Sequence, residues 1–201
     1  MFNILRKHNM LTLKKKRYTR TTNSWHRFYK YKNLIKNMNI TRSNQVWVSD
    51  ITYIRTVKGF CYLALITDVY SRKIVGYDLS DSLELTGCVN ALKRALRQAK
   101  TIKGLIHHSD RGIQYCSNQY TEILKKNGIG ISMTEENHCY ENAIAERVNG
   151  ILKDEFHLDQ TFDNKAHAAR ATKSAINLYN QVRLHLSLDY KTPDMVYKIS
   201  A

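Results

Sequence analysis

Three carboxylates stand in settings where a carboxylate can do chemistry. Asp50 lies within "VWVSDITYIRT", Asp110 follows "LIHHS", and Glu146 sits in "NAIAERVNGILKDEF". A charge inside an apolar strand is costly to bury unless it is paired or holds a cation. Carboxyl ends of strands in open α/β sheets are where functional groups collect, and Asp110 ends such a strand. Three carboxylates brought together repel one another, and divalent cations relieve the repulsion. A pair of Mg²⁺ ions about 3.5–4 Å apart can activate an attacking oxygen and stabilise a leaving one in phosphoryl transfer. Each residue also has a plainer reading: Asp50 as an exposed strand residue, Asp110 as a turn residue before Gly112, Glu146 as part of a solvated helix face.

The elements that would position them are read from local pattern. "VWVSDITYIRT" has the β-branched and aromatic composition of a strand. Gly59 makes a short turn into "FCYLALITDVY", and "SRK" returns the chain into "IVGYDLS", so three strands form an antiparallel meander. The period then changes: Leu85, Val89, Leu92 and Leu96 recur at helical spacing. "GLIHHSD" predicts a short buried strand, "SNQYTEILKKNG" a helix stopped by Gly128, and "IGISMT" a fifth strand. In the helix carrying Glu146, Ile144, Val148 and Ile151 face one way, and Asn142, Glu146, Asn149, Gly150 and Lys153 the other. A last long helix is expected over Lys165–Arg183, capped at Asp163. The order predicts an α/β fold, a mixed five-stranded sheet flanked by helices, as in ribonuclease-H-like folds. If the first and fourth strands are neighbours, the three carboxylates meet at one edge.

Charge divides the 201 residues unevenly. Of 32 Lys and Arg, 12 fall in residues 1–44, which hold none of the 17 Asp and Glu. Residues 1–44 are expected to be a basic DNA-binding arm, with Lys14, Lys15, Lys16 and Arg17 at its centre, and residues 45–201 the catalytic core. Cations alternating with the aromatics of "HRFYKYKNLIK" suit phosphate pairing and base stacking, against the plainer reading of a solvated tail. The apolar run around Phe60–Ile66 is far too short to cross a membrane. Four dispersed cysteines without a C-x-x-C pair fit a reduced, cytoplasmic protein and argue against a zinc knuckle.

"WVSDITYI", "HHSDRGIQYCSNQY" and "SMTEENHCYENAIAERVNGILKDEF" resemble, in order, the three catalytic blocks of bacterial insertion-sequence transposases with a retroviral-integrase-type core. The resemblance is to the kind whose second reading frame carries a D,D,E triad. Thirty-five residues separate Asp110 from Glu146, the family's spacing, and Lys153 matches its basic residue seven positions on. "YNQVRLHLSLDYKTP" is similar to its carboxyl-terminal block. Ser49 stands where the family often has threonine, and Leu184 where it has proline.

The resemblance implies a ribonuclease-H-like fold and a transposase that cleaves insertion-sequence ends and transfers strands. Asp50, Asp110 and Glu146 would hold two Mg²⁺ (or Mn²⁺) ions, and Lys153 and Asn149 would position DNA beside them. The partners implied are the terminal inverted repeats, target DNA and further copies of the chain assembled on DNA, in the bacterial cytoplasm at the nucleoid. Such transposases carry a helix-turn-helix region ahead of the core, of which "MFNILRKHNML" resembles only the last helix; a truncated or internally started copy is therefore expected. The alternatives are a ribonuclease-H-like nuclease that only hydrolyses, and an inactive DNA-binding remnant.

Other residues invite weaker hypotheses. His107 and His108 point to opposite faces of a strand and so do not share one metal ion readily. Asp68 reads as a structural turn residue and Cys139 as a partly buried thiol. Arg183 and His185 are candidates for DNA contact, against a solvated carboxyl terminus.

Overall fold

The computed structural model describes residues 2–7, 26–135 and 143–201. A short helix α1 (Phe2–Lys7) precedes the body. Strands β1 (Val46–Thr56), β2 (Gly59–Asp68) and β3 (Ile74–Ser80) form the expected antiparallel meander. Helix α2 (Leu85–Gln98) returns the chain to β4 (Ile106–Ser109), which lies parallel to β1. Helices α3 (Ile113–Cys116) and α4 (Asn118–Lys126) lead to β5 (Gly130–Met133), parallel to β4. After helix α5 (Ala143–Asp154), a two-residue strand β6 (Thr161–Phe162) pairs with β1, and helices α6 (Lys165–Gln181) and α7 (Pro193–Ser200) close the chain. The sheet order is β3-β2-β1-β4-β5, with β6 beside β1 off that path. The sixth strand is additional to the five expected. Two residues are too few for an alternating pattern to register in sequence.

The sheet buries both faces, as crossover connections require. On one side Trp47, Ala64 and Ile66 pack with Leu92 of α2 and Tyr120 and Leu124 of α4. Gly76 permits this approach, because a Cβ there would collide with the carbonyl oxygen of Ala91. On the other side Ile54, Leu63 and Leu65 pack with Val148, Ile151 and Leu152 of α5 and Tyr179 of α6. Among the described residues no helix is long and apolar enough to cross a membrane.

Three local expectations change. Helix α6 is capped by Asn164, whose Oδ1 accepts from the backbone N–H of His167 at 3.0 Å, not by Asp163. Asp163 instead meets the His167 ring at 3.0 Å. Helix α7 was not anticipated, although Thr192 before Pro193 carries the signal: its hydroxyl caps Met195 at 3.2 Å. Third, the basic segment does not end in front of the core. Phe28 and Tyr31 pack on the α2 side, and Ile35, Met38 and Ile40 pack against Val46, Val48 and Val69. Asn44 is fully buried: its N–H donates to Asp68 at 2.7 Å, and its Oδ1 accepts from Trp47 at 3.2 Å and Tyr197 at 2.9 Å. Net charge registers the lack of acids across residues 1–44 but is blind to this packing.

Candidate active site

Strand β1 has β2 along the whole of one edge. On its other edge it pairs with β4 only over Val46–Ser49 and with β6 only at Arg55 and Thr56. The sheet therefore splits alongside residues 50–54, and Asp50 stands where the split begins. Ser49 faces Ser109 in the last parallel pair, so Asp50 and Asp110 follow one step beyond it on adjacent chains. Neighbouring strands lie about 4.8 Å apart, so the two residues are close enough for the charge of Asp110 to act on Asp50.

Each carboxylate is oriented by its own backbone. Asp50 Oδ1 accepts from the N–H of Ile51 at 2.8 Å, and Asp110 Oδ1 accepts from the N–H of Gly112 at 2.9 Å. Helix α5 supplies the third group. Glu146 lies exposed in its first turn, where the helix dipole favours a negative charge. One turn later Asn149 Nδ2 donates to Asp50 Oδ2 at 2.7 Å, so α5 is fastened to β1 on the side from which Glu146 projects.

The electrostatics follow from this crowding. Burial, and then the negative charge of Asp110 with a further contribution from Glu146, raises the Asp50 pKa from 3.8 to about 7. The donors on Ile51 and Asn149 oppose that rise without cancelling it. Hard oxygen donors with excess negative charge fit a divalent cation of the Mg²⁺ type. Among the described residues, however, no three His, Cys, Asp or Glu side chains stand close enough to hold an ion as they are. The set is open, with one carboxylate on β1, a second just past the end of β4 and a third on α5.

The other expected residues divide clearly. Asn149 is only 7% exposed, and its Nδ2 donates to Asp50. Lys153 is half-buried in the last turn of α5. Lys14, Lys15, Lys16, Arg17 and Cys139 lie outside the described residues. His107 Nε2 meets Ser49 Oγ at 2.6 Å and Tyr120 Oη at 2.9 Å, and burial lowers its pKa to about 3, so the ring is neutral. His108 Nδ1 meets Ser132 Oγ at 2.8 Å on the opposite side. Both histidines brace the strands beneath the carboxylates. Asp68 is structural, accepting from Ser71 N and Oγ at 2.8 and 2.6 Å as well as from Asn44. Arg183 grips Glu155 with two bonds of 2.6 and 2.7 Å, and His185 packs edge-on to Tyr179. A cavity of about 420 Å³ near the start of β1, lined by Val69, Arg72, Leu188 and Lys191 among others, contains none of the three carboxylates.

Sequence comparison converges on the same segment. Two family profiles, each described as an integrase core domain, match residues 40–139 and 127–193. A protein of insertion element IS600 from Shigella sonnei, described as an uncharacterized 31 kDa protein, is 42% identical over 194 residues, covering 94% of this chain and 71% of its own. The chain belongs to the integrase-core family of insertion-sequence transposases. The transposase for insertion sequence element IS629 of Shigella sonnei is 40% identical over 152 residues, covering 76% of this chain and 51% of its own length. That for element IS904 of Lactococcus lactis is 38% identical over 154 residues, 76% of this chain and 61% of that one. This family member thus spans about half to seven-tenths of the length of these relatives.

Solved structures share its fold at low identity. The HTLV-2 integrase catalytic core, in complex with magnesium, superposes with a TM-score of 0.63 at 19% identity, over 79% of this chain and 99% of that one. A chain of the simian T-cell lymphotropic virus intasome in complex with PP2A regulatory subunit B56 gamma superposes with a TM-score of 0.66 at 17% identity, over 89% of this chain and 61% of that one. The ribonuclease-H-like architecture expected from the order of elements is the one observed.

Proposed function

We propose that this chain is the catalytic domain of a DNA transposase, cleaving strands at insertion-sequence ends and joining the released 3′-hydroxyl to target DNA. The observation that carries the proposal is that Asp50 and Asp110 follow the last paired residues of β1 and β4 at the split of the sheet, with α5, the helix that carries Glu146, tied to Asp50 through Asn149. Family membership supports the polynucleotidyl transfer, and the magnesium in the HTLV-2 core supports a divalent cation. Asp50, Asp110 and Glu146 are the residues that would hold it. Two Mg²⁺ or Mn²⁺ ions, when bound, supply activation of the attacking oxygen and charge stabilisation at the leaving one.

The protein's own part is orientation. The backbone N–H of Ile51 and the amide of Asn149 fix both oxygens of Asp50, and Gly112 fixes Asp110. Lys153, two turns beyond Glu146, would pair with the DNA backbone, and the basic arm through Lys14, Lys15, Lys16 and Arg17 would hold the duplex without reading sequence. Joining exchanges one phosphodiester for another, so no covalent protein intermediate is needed. The intasome neighbour supports further copies of the chain assembled on terminal repeats and target DNA.

The test uses purified protein, Mg²⁺ and duplexes carrying the element's ends. Cleavage and strand joining should occur and should fall to background in Glu146→Gln, Asp50→Asn and Asp110→Asn, with folding intact. Hydrolysis without joining would point to a ribonuclease-H-like nuclease, and DNA binding with neither would point to an inactive remnant.

A further inference from the structure

Beyond the carboxylates, β1 and β2 continue as a hairpin whose outer half carries three aromatic rings that pack into none of the apolar clusters of the described residues. Tyr53 faces Tyr62 across the ladder, with ring centres 5.2 Å apart, and Phe60 meets Tyr53 at 5.6 Å. The guanidinium of Arg55 lies 5.9 Å from the centre of the Phe60 ring. Phe60 is 50% exposed and Val57, at the turn, 73%. Alternation explains the arrangement. Trp47, Ile51, Tyr53 and Arg55 share one face of β1, and Phe60, Tyr62, Ala64 and Ile66 share the same face of β2. Trp47, Ala64 and Ile66 lie in the core under α2, whereas Phe60 and Arg55 lie in the open.

Cross-strand aromatic pairs stabilise any hairpin. That accounts for the pairing but not for the exposure or the charge. Between Asp50 and Asp68 the chain contains Arg55 and Lys58 and no acid at all. The acid that follows β3, Asp81, is already paired with Lys165 at 2.6 Å. Exposed rings flanked by cations complement a strand whose bases are unstacked and whose phosphates are negative. They do not complement a second copy of a chain with net charge +15. Tyr53 is three residues from Asp50 along β1, so alternation turns its ring to the opposite face of the sheet from that carboxylate.

We propose that Tyr53, Phe60 and Tyr62, with Arg55 and Lys58, form a stacking platform for unpaired nucleic acid at the outer end of the β1–β2 hairpin, on the face of the sheet away from Asp50. A duplex offers this surface only its phosphates, whereas an unpaired segment offers base faces as well. The platform would therefore prefer single-stranded to duplex nucleic acid. This presupposes the strand chemistry proposed for Asp50, but binding can be measured separately from it.

The experiment titrates the full chain against fluorescein-labelled oligothymidylate of about 20 nucleotides and against a duplex of equal length, reading anisotropy. Phe60→Ala and Tyr53→Ala should weaken single-strand binding about five-fold or more and leave duplex binding within about two-fold. Phe60→Tyr, which keeps a ring, should bind like the wild type. Lys58→Ala, at the exposed turn, should flatten the single-strand salt slope by about 0.7. Equal losses on both probes, or no loss, would overturn the platform. So would a fall in self-association on sedimentation with DNA binding unchanged, which would make the patch an interface between copies. Should the Ala variants unfold, Phe60→Leu, which keeps an apolar side chain without a ring, should show the same selective loss of single-strand binding, and its absence would overturn the platform. Single-strand binding that responds to these variants without strand joining would sink the transposase proposal and leave the platform standing. Joining with unresponsive binding would do the reverse.

Discussion

Asn149 Nδ2 lies 2.7 Å from Asp50 Oδ2, so the helix that carries Glu146 is fastened to the strand at a carboxylate of the site. Asn149→Ala removes that donor and frees one Asp50 oxygen to rotate. Strand-joining activity should fall about 10–100-fold, the usual effect of losing a partner that orients a metal ligand. Stability should fall by only about 1–2 kcal/mol, because the lost bond is single and α5 keeps its apolar seat on Val148, Ile151 and Leu152. A thermal melt beside a joining assay separates the two. Equal activity with and without the amide would show that Asp50 needs no such support.

The raised Asp50 pKa predicts a proton-linked metal. The carboxyl titrates near 3.8 when unfolded and at about 7 when folded, so between these values the native state holds the extra proton. Stability from this group in metal-free protein is present at low pH and is lost as pH rises from about 4 to 7. Mg²⁺ requires the carboxylate, so its binding at pH 6.5 should release a proton and at pH 8.5 almost none. Calorimetry in buffers of different ionisation heat measures that release, and Asp50→Asn should abolish it.

His107 carries the opposite linkage. Burial lowers its pKa from 6.5 to about 3, so between those values the unfolded chain binds a proton that the native ring refuses. Its contribution to stability is complete above pH 6.5 and erodes as pH falls toward 3. Urea midpoints at pH 4.5 and 7.5 should therefore differ less in His107→Gln than in the wild type. An unchanged difference would mean that the ring is protonated in the native state.

Deletions should distinguish the two parts of the basic segment. Removing residues 1–25 should leave the melting transition nearly unchanged and flatten the salt dependence of DNA binding, as fewer counterions are released. Removing residues 1–44 also takes Asn44 from Asp68 and Trp47, and Ile35, Met38 and Ile40 from Val46 and Val69. That should cost about 3 kcal/mol or more. If both deletions melt alike, the 26–44 segment does not belong to the core.

The parts of this protein that follow from neighbouring residues were legible in its sequence alone. Alternation of β-branched and aromatic residues set out β1 to β3, helical periodicity set out α2 and α5, a last helix was expected over residues 165–183, and the resemblance to insertion-sequence transposases singled out Asp50, Asp110 and Glu146. Local steric preference and burial of one face act over a few residues, so they leave a readable period. What depended on partners distant in the chain was not legible. The wheel placed Asn149 with Glu146 on a polar face, but only the seating of α5 against β1 turned that amide inward, 99 positions away from Asp50. The same holds for the split beside Asp50, which exists because β4 and a two-residue strand share one edge of β1. Burial of Asn44 likewise depends on Asp68, Trp47 and Tyr197 arriving from three other places. Residue type determined which groups could do the chemistry. Long-range pairing decided which of them face one another, because register and helix seating are settled by the summed burial of the whole core and not by any short window of sequence.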